Sequence, residues 1–175
     1  MKAVVFGSSA PVEGDKEYEE AYAIGKALGE IGFIVVNGGY MGIMEATAKG
    51  AKDANAKTIG ITTDDLNYVE PNPFLDEEIR TKNLAERITK GIEMGDVFII
   101  LKGSTGTMQE FMEVWNLMKL KLIPKRPIIC YGNYYKDVVE KLTNIRKHNS
   151  VQTEDNLVSF AEDIEELKQI LKSDQ

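Results

Sequence analysis

One cysteine, one histidine and one tryptophan occur in 175 residues. A lone thiol, Cys130, cannot form an internal disulfide, and a reducing cytoplasm is the natural setting for such a chain. Zinc sites draw mainly on Cys and His. Cys130 and His148 leave almost no material for one, so no metal is expected. A Ser-His-Asp triad would have to recruit His148 from the polar stretch Arg146-Lys147-His148-Asn149. Long apolar runs are missing as well. No stretch reaches the 18 or so residues of a membrane-spanning helix, and Ala3-Val4-Val5-Phe6 is too short for a signal-peptide core. Positive charge is in deficit: 21 Lys and Arg stand against 28 Asp and Glu, for a net charge of -7. That sign repels nucleic-acid phosphates and anionic membranes, so neither is expected as a partner. The basic cluster Lys119, Lys121, Lys125 and Arg126 reads as solvated surface.

What is present alternates. Strand-length apolar runs fall at 3–6, 33–36, 58–61, 97–101 and 127–131, with shorter candidates at 78–81 and 157–160. Helical spacing recurs between them, at about 15–31, 41–52, 83–94, 105–120, 135–142 and 162–171. In the first of these, Tyr18, Ala21, Tyr22, Gly25, Leu28 and Ile31 share one face. The stretch 62–76, with Pro71, Pro73 and several acids, reads as a long surface loop, and 144–155 as polar. Strand-helix alternation implies right-handed β-α-β units on a parallel sheet. Continuous rather than alternating apolar strands imply cover on both faces. The expectation is one domain over residues 1–175: an α/β, Rossmann-like, doubly wound parallel sheet. In such folds ligands bind at the carboxyl ends of the strands.

Three of those ends carry small residues. Lys102-Gly103-Ser104-Thr105-Gly106-Thr107 leaves a strong strand and enters a helix. Gly103 and Gly106 permit close backbone approach, the first helical N–H groups point outward, and Ser104, Thr105 and Thr107 add hydroxyls. That is a phosphate cradle, although a glycine turn with a Thr N-cap would read the same. It is neither a Walker loop nor G-x-G-x-x-G. Asn37-Gly38-Gly39-Tyr40-Met41-Gly42 is a second turn of this kind, and Gly7-Ser8-Ser9 a third. Glu110, three residues beyond Thr107, reads as first-turn and facing the loop. It can contact ribose or act as general acid or base, or simply favour the helix dipole. Arg87 offers a fork for phosphate or carboxylate, or a solvated helix face beside Glu86 and Lys90. Trp115 with Phe111, Met118 and Met108 forms a stripe suited to core or a subunit interface. Cys130 lies in an apolar strand and reads as inert.

At Gly103-x-x-Gly106-Thr107-x-x-Glu110 the chain resembles the LONELY GUY (LOG) group, long labelled "possible lysine decarboxylase". That group's signature is P-G-G-x-G-T-x-x-E, preceded by a helix with an R-K pair. Arg87 falls on the arginine, Gly7-Ser8-Ser9 resembles its G-S-S, and Gly38-Gly39-Tyr40-Met41-Gly42-Ile43-Met44 its G-G-G-x-x-G-L-M turn. The resemblance spans roughly residues 2–131. It implies a Rossmann-like homodimer or higher oligomer that cleaves the N-glycosidic bond of nucleoside 5′-monophosphates, giving free base and ribose 5-phosphate. Arg87 and Glu110 would be the catalytic pair. Gly7, Ser8, Gly38, Gly39, Gly42, Gly103, Ser104, Thr105, Gly106 and Thr107 would bind the nucleotide and its phosphate. Neither metal nor cofactor is implied. Lys102, Ser104 and Ile88 depart from the signature, and the glycine turn is one residue shorter. Those departures mark a divergent branch that also resembles the molybdenum-cofactor carrier proteins. The implied alternative is a non-catalytic carrier or sensor of a phosphorylated, nucleotide-like ligand. Decarboxylation would need pyridoxal phosphate on a much larger scaffold, and no motif supplies it.

Overall fold

The computed structural model describes residues 1–147 and 157–173. His148, and most of the stretch read as polar, lie outside them.

Strands and helices alternate along the chain. They are β1 (Lys2–Phe6), α1 (Lys16–Glu30), β2 (Ile34–Asn37), α2 (Ile43–Asp53), β3 (Thr58–Thr63), β4 (Glu77–Thr81), α3 (Leu84–Met94), β5 (Val97–Ile100), α4 (Thr105–Lys119), β6 (Ile128–Tyr131), α5 (Lys136–Lys147), β7 (Val158–Ala161) and α6 (Ile164–Ser173). All pairings are parallel, in the order β4-β3-β2-β1-β5-β6-β7. The chain winds outward from β1 to β4, then returns to place β5 beside β1. The β1/β5 seam is therefore the topological switch point, where a crevice opens at the carboxyl ends. This is the Rossmann-like architecture expected from the alternation.

Side chains on successive strand residues go to opposite faces. Ala3, Val5, Ile99 and Ile129 meet α1, α2 and α6 through Ile24, Leu28, Ile43 and Leu167. Val4, Phe6, Phe98, Ile100, Ile128 and Cys130 meet α3, α4 and α5 through Ile92, Phe111, Met118 and Val139. Covering both faces explains why the inner strands lack polar alternation. The edge strand β4, Glu77-Glu78-Ile79-Arg80-Thr81, is largely exposed and carries charges, which discourages further pairing.

Several expectations need correction. The loop read as starting at Thr62 starts later, because β3 continues through Thr63 and a 3-10 turn follows at Asp64–Leu66. The Thr63 hydroxyl caps that turn at Asp65 N–H. Arg126 is no free surface cation: its Nη1 donates to the carbonyls of Ile92 and Gly95 at 2.9 and 2.7 Å, at the end of α3. Trp115 and Met118 are buried within the chain, against Phe111 and the sheet. They belong to the subunit's own core, one of the two roles their stripe suited, and leave little surface for an interface.

Candidate functional site

A cavity of about 380 Å³ opens at the switch point. Ser8 knits it together. Its N–H donates to Lys102 C=O beyond β5 (3.2 Å), and its own C=O accepts from Ile43 N–H at the start of α2 (2.9 Å). The exits of β1 and β5 and the head of α2 are thus tied at one residue.

Arg87 and Glu110 stand side by side in the cavity wall. The Arg87 guanidinium is almost wholly buried, and its partners are mainly backbone. Nε donates to Ile61 C=O at 2.8 Å and Nη2 to Gly38 C=O at 3.2 Å. The Tyr40 ring centroid lies 5.6 Å away. Nη1 reaches Glu110 Oε1 only at 3.5 Å, well beyond a tight charged contact. Burial pushes the Glu110 carboxyl up to about 7, because desolvation outweighs the opposing attraction of Arg87. A carboxyl raised toward neutrality is suited to taking and returning a proton.

Glu110 is the sixth residue of α4, so it sits in the second turn rather than the first. A dipole-favouring role at the helix start is therefore excluded. Arg87, for which a solvated helix face is one of two readings from sequence, is 9% exposed.

Two glycines make this arrangement possible. A Cβ on Gly38 would lie 1.6 Å from Arg87 Nη2, so the guanidinium occupies the space a side chain would take. Gly42 has φ +72°, and a Cβ there would come within 2.5 Å of Ser8 C=O. Only glycine accepts both demands readily. Asn37, buried, holds the turn. Its amide donates to Met44 C=O (2.8 Å) and its carbonyl accepts from Gly39 N–H (2.8 Å).

The cradle opens α4. Its N-cap is Ser104, not a threonine, and the Ser104 side chain makes no capping bond. Met108 N–H makes the first helical bond, to Ser104 C=O at 3.0 Å. The N–H groups of Thr105, Gly106 and Thr107 precede that bond and carry the positive end of the helix. A Cβ on Gly106 would meet nothing within 4 Å.

Of the residues singled out from sequence, Gly7, Ser8, Gly38, Arg87, Ser104, Gly106, Thr107 and Glu110 border this one cavity. Gly39, Gly42, Gly103 and Thr105 do not border it. Gly39 packs against Thr62 and Gly60, and Gly103 against Thr107. Some wall residues escaped the sequence reading, among them Leu84, Gln109 and, from the segment after β3, Leu66, Tyr68 and Val69. Apolar residues in a long acidic loop were the available signal, since such loops are commonly functional. With Met41 and Leu84 they give the cavity an apolar side opposite the polar cradle. Among the described residues no group of three or more His, Cys, Asp or Glu could hold a metal ion, and no helix is long and apolar enough to cross a membrane.

A Rossmann-like sheet with glycine-lined strand ends and a buried Arg–Glu pair defines the class. The chain belongs to the SLOG cluster4 family, whose description matches residues 1–159. An Archaeoglobus fulgidus protein without a named activity is 29% identical over 87% of this chain and all of its own length. The cytokinin riboside 5′-monophosphate phosphoribohydrolase of Rhodococcoides fascians is 28% identical over 75% of this chain and 68% of its own. Among solved structures, the molybdenum cofactor carrier protein of Chlamydomonas reinhardtii superposes with a TM-score of 0.75. It is 22% identical over 99% of this chain and 98% of its own. That likeness bears on the fold.

Proposed function

We propose that the protein is a nucleoside 5′-monophosphate phosphoribohydrolase. The observation that carries this reading is the buried Arg87–Glu110 pair beside the head of α4. The substrate phosphate binds the N–H groups of Gly106 and Thr107, aided by the Ser104 and Thr107 hydroxyls. The base lies toward Leu66, Tyr68 and Val69. The ribose then falls between, against Glu110. As the C1′–N bond breaks, its electron pair leaves with the base and positive charge develops on the sugar. The Glu110 carboxylate stabilises that charge and takes a proton from water. Water oxygen bonds to C1′, and the proton passes to the departing base. Arg87 supports the base or anchors the phosphate. The distant likeness to phosphoribohydrolases supports the same reading.

The test is release of free base from a panel of nucleoside monophosphates, followed by chromatography. Loss of one preorganised electrostatic partner costs on the order of 10²–10³ in rate. Glu110→Gln and Arg87→Ala should each do so, and the double variant should lose far less than the product. Arg87→Ala also strips donors from the Ile61 and Gly38 carbonyls and leaves Glu110 without its cation, so it destabilises the fold. Arg87 is 9% exposed, so the loss is felt in the core as well as at the site.

A second reading, a non-catalytic carrier or sensor of a phosphorylated nucleotide-like ligand, is favoured by Ser104 and Lys102, which alter the loop. Tight binding of a monophosphate without base release would decide for it.

A further inference from the structure

A second cavity, of about 340 Å³, adjoins the first and shares Ser8 and Ser104 with it. It lies on the other side of the α4 head, where the proposed function places no part of a nucleoside monophosphate. Its walls are chemically mixed. Tyr134 is 54% exposed and offers a ring face, braced edge-on by Tyr135 at 4.8 Å between centroids. Tyr135 is itself anchored, its hydroxyl donating to Gly103 C=O at 3.0 Å. Lys102 Nζ stands 5.8 Å from the Tyr134 centroid and 2.6 Å from Glu17. Asp15 adds a second carboxylate, with one oxygen engaged by Val12 N–H at 2.9 Å. Ala10 and Pro11 complete an apolar side.

This assortment fits a second nucleoside rather than a simple anion. An isolated phosphate would meet Asp15 and Glu17, whose charges outnumber that of Lys102. A ribose presents hydroxyl donors that carboxylates accept, as acids do at the ribose of dinucleotide folds. A base has a face to lay on an exposed aromatic ring. Ser8 and Ser104 border both cavities, so a diphosphate linking two nucleosides would cross there, at the head of α4. We propose that the second cavity is a subsite for a nucleoside joined through phosphate to the nucleotide in the first. The ligand class is then a dinucleotide linked 5′ to 5′ through a diphosphate. This rests on the reading that the α4 head binds phosphate, since the linkage would cross there. It does not depend on hydrolysis.

Binding is measured by calorimetry on the full chain, with adenosine 5′-monophosphate and di(adenosine 5′) diphosphate as probes. The wild type should bind the dinucleotide at least tenfold more tightly. Tyr134→Ala should remove that advantage while leaving the monophosphate affinity within about twofold, because Tyr134 borders only the second cavity. Tyr134→Phe keeps the ring and should retain the advantage. Equal affinity for the two probes in the wild type would overturn the proposal. So would an advantage that survives Tyr134→Ala, or no binding of the dinucleotide. Base release from monophosphates is scored separately. Its absence, with the Tyr134-dependent difference intact, would sink the hydrolase reading alone.

Discussion

Replacing Glu110 by Gln should make the protein more stable as well as less active. Burial holds the Glu110 carboxyl at about 7, above its ordinary 4.5. A carboxyl whose folded pKa is raised binds more protons folded than unfolded between those values, so stability falls as pH rises from about 4.5 to about 7. Above pH 7 the penalty is fully present. A difference of 2.5 between the two values, at 1.36 kcal/mol per unit, corresponds to about 3 kcal/mol. At pH 5 only about 1 kcal/mol of it has developed. Glutamine has nearly the same shape and no charge to desolvate, so Glu110→Gln removes the penalty. The gain should reach about 3 kcal/mol at pH 8, or about 6–12 °C in melting temperature for a chain of this size. At pH 5 it should shrink to a third or less. Urea unfolding of both proteins at pH 5 and pH 8 measures this directly. A variant that is no more stable than wild type at pH 8, or whose advantage is the same at both pH values, would show that Glu110 is not held as a desolvated carboxyl. Stability gained together with lost base release is the expected signature of a group placed for chemistry.

Other consequences follow from the same geometry. Base release should rise with pH through about 7, as Glu110 loses its proton; a flat kcat/KM between pH 6 and 8 would argue against a carboxylate in the transition state. Gly38→Ala puts a methyl where Arg87 Nη2 lies, so both stability and activity should fall; circular dichroism melting and the base-release assay check it. Gly106→Ala meets nothing in the protein and improves helix propensity by about 1 kcal/mol, so it should melt no lower than wild type while weakening monophosphate binding at least tenfold in calorimetry. We also expect a homodimer or higher oligomer, which sedimentation velocity at micromolar concentration would reveal as a species at least twice the chain mass.

How much of this was legible in the sequence differs by element. The inner strands were clear because each is covered on both faces and therefore reads as an unbroken apolar run. β4 was a weaker signal, since an edge strand can be Glu77-Glu78-Ile79-Arg80-Thr81 and owe its conformation to pairing with β3. The glycine turns were visible, but their purposes were not. Gly38 looked like a residue that lets a ligand approach, whereas it makes room for a guanidinium. Arg87 was the hardest to judge. Its neighbours Glu86 and Lys90 suggest a solvated face. The carbonyls that bury it come from Ile61 and Gly38, 26 and 49 residues away. Contacts at such separations leave no local periodicity to read.

The looseness of the Arg87–Glu110 contact supports a chemical rather than a structural role. Surface ion pairs on this molecule range from closed, as Lys57–Glu77 at 2.6 Å, to open, as Lys90–Glu93 at 3.9 Å. In water such pairs contribute little. Arg87 and Glu110 are buried, where an incomplete pair is costly, yet their separation is 3.5 Å. The cause lies in how Arg87 is anchored. Two of its three nitrogens are committed to Ile61 and Gly38 carbonyls, which fix the guanidinium plane whatever Glu110 does. Glu110 is correspondingly left short of partners: burial raises its pKa, and Arg87 offsets this only in part. A tight salt bridge would lower that pKa and bind up both charges. The observed arrangement leaves a carboxyl that titrates near neutrality and a cation with an end toward the cavity, both on rigid supports. A reaction that develops positive charge beside the carboxylate would supply the missing partner, so their attraction would be stronger in the transition state than in the resting site.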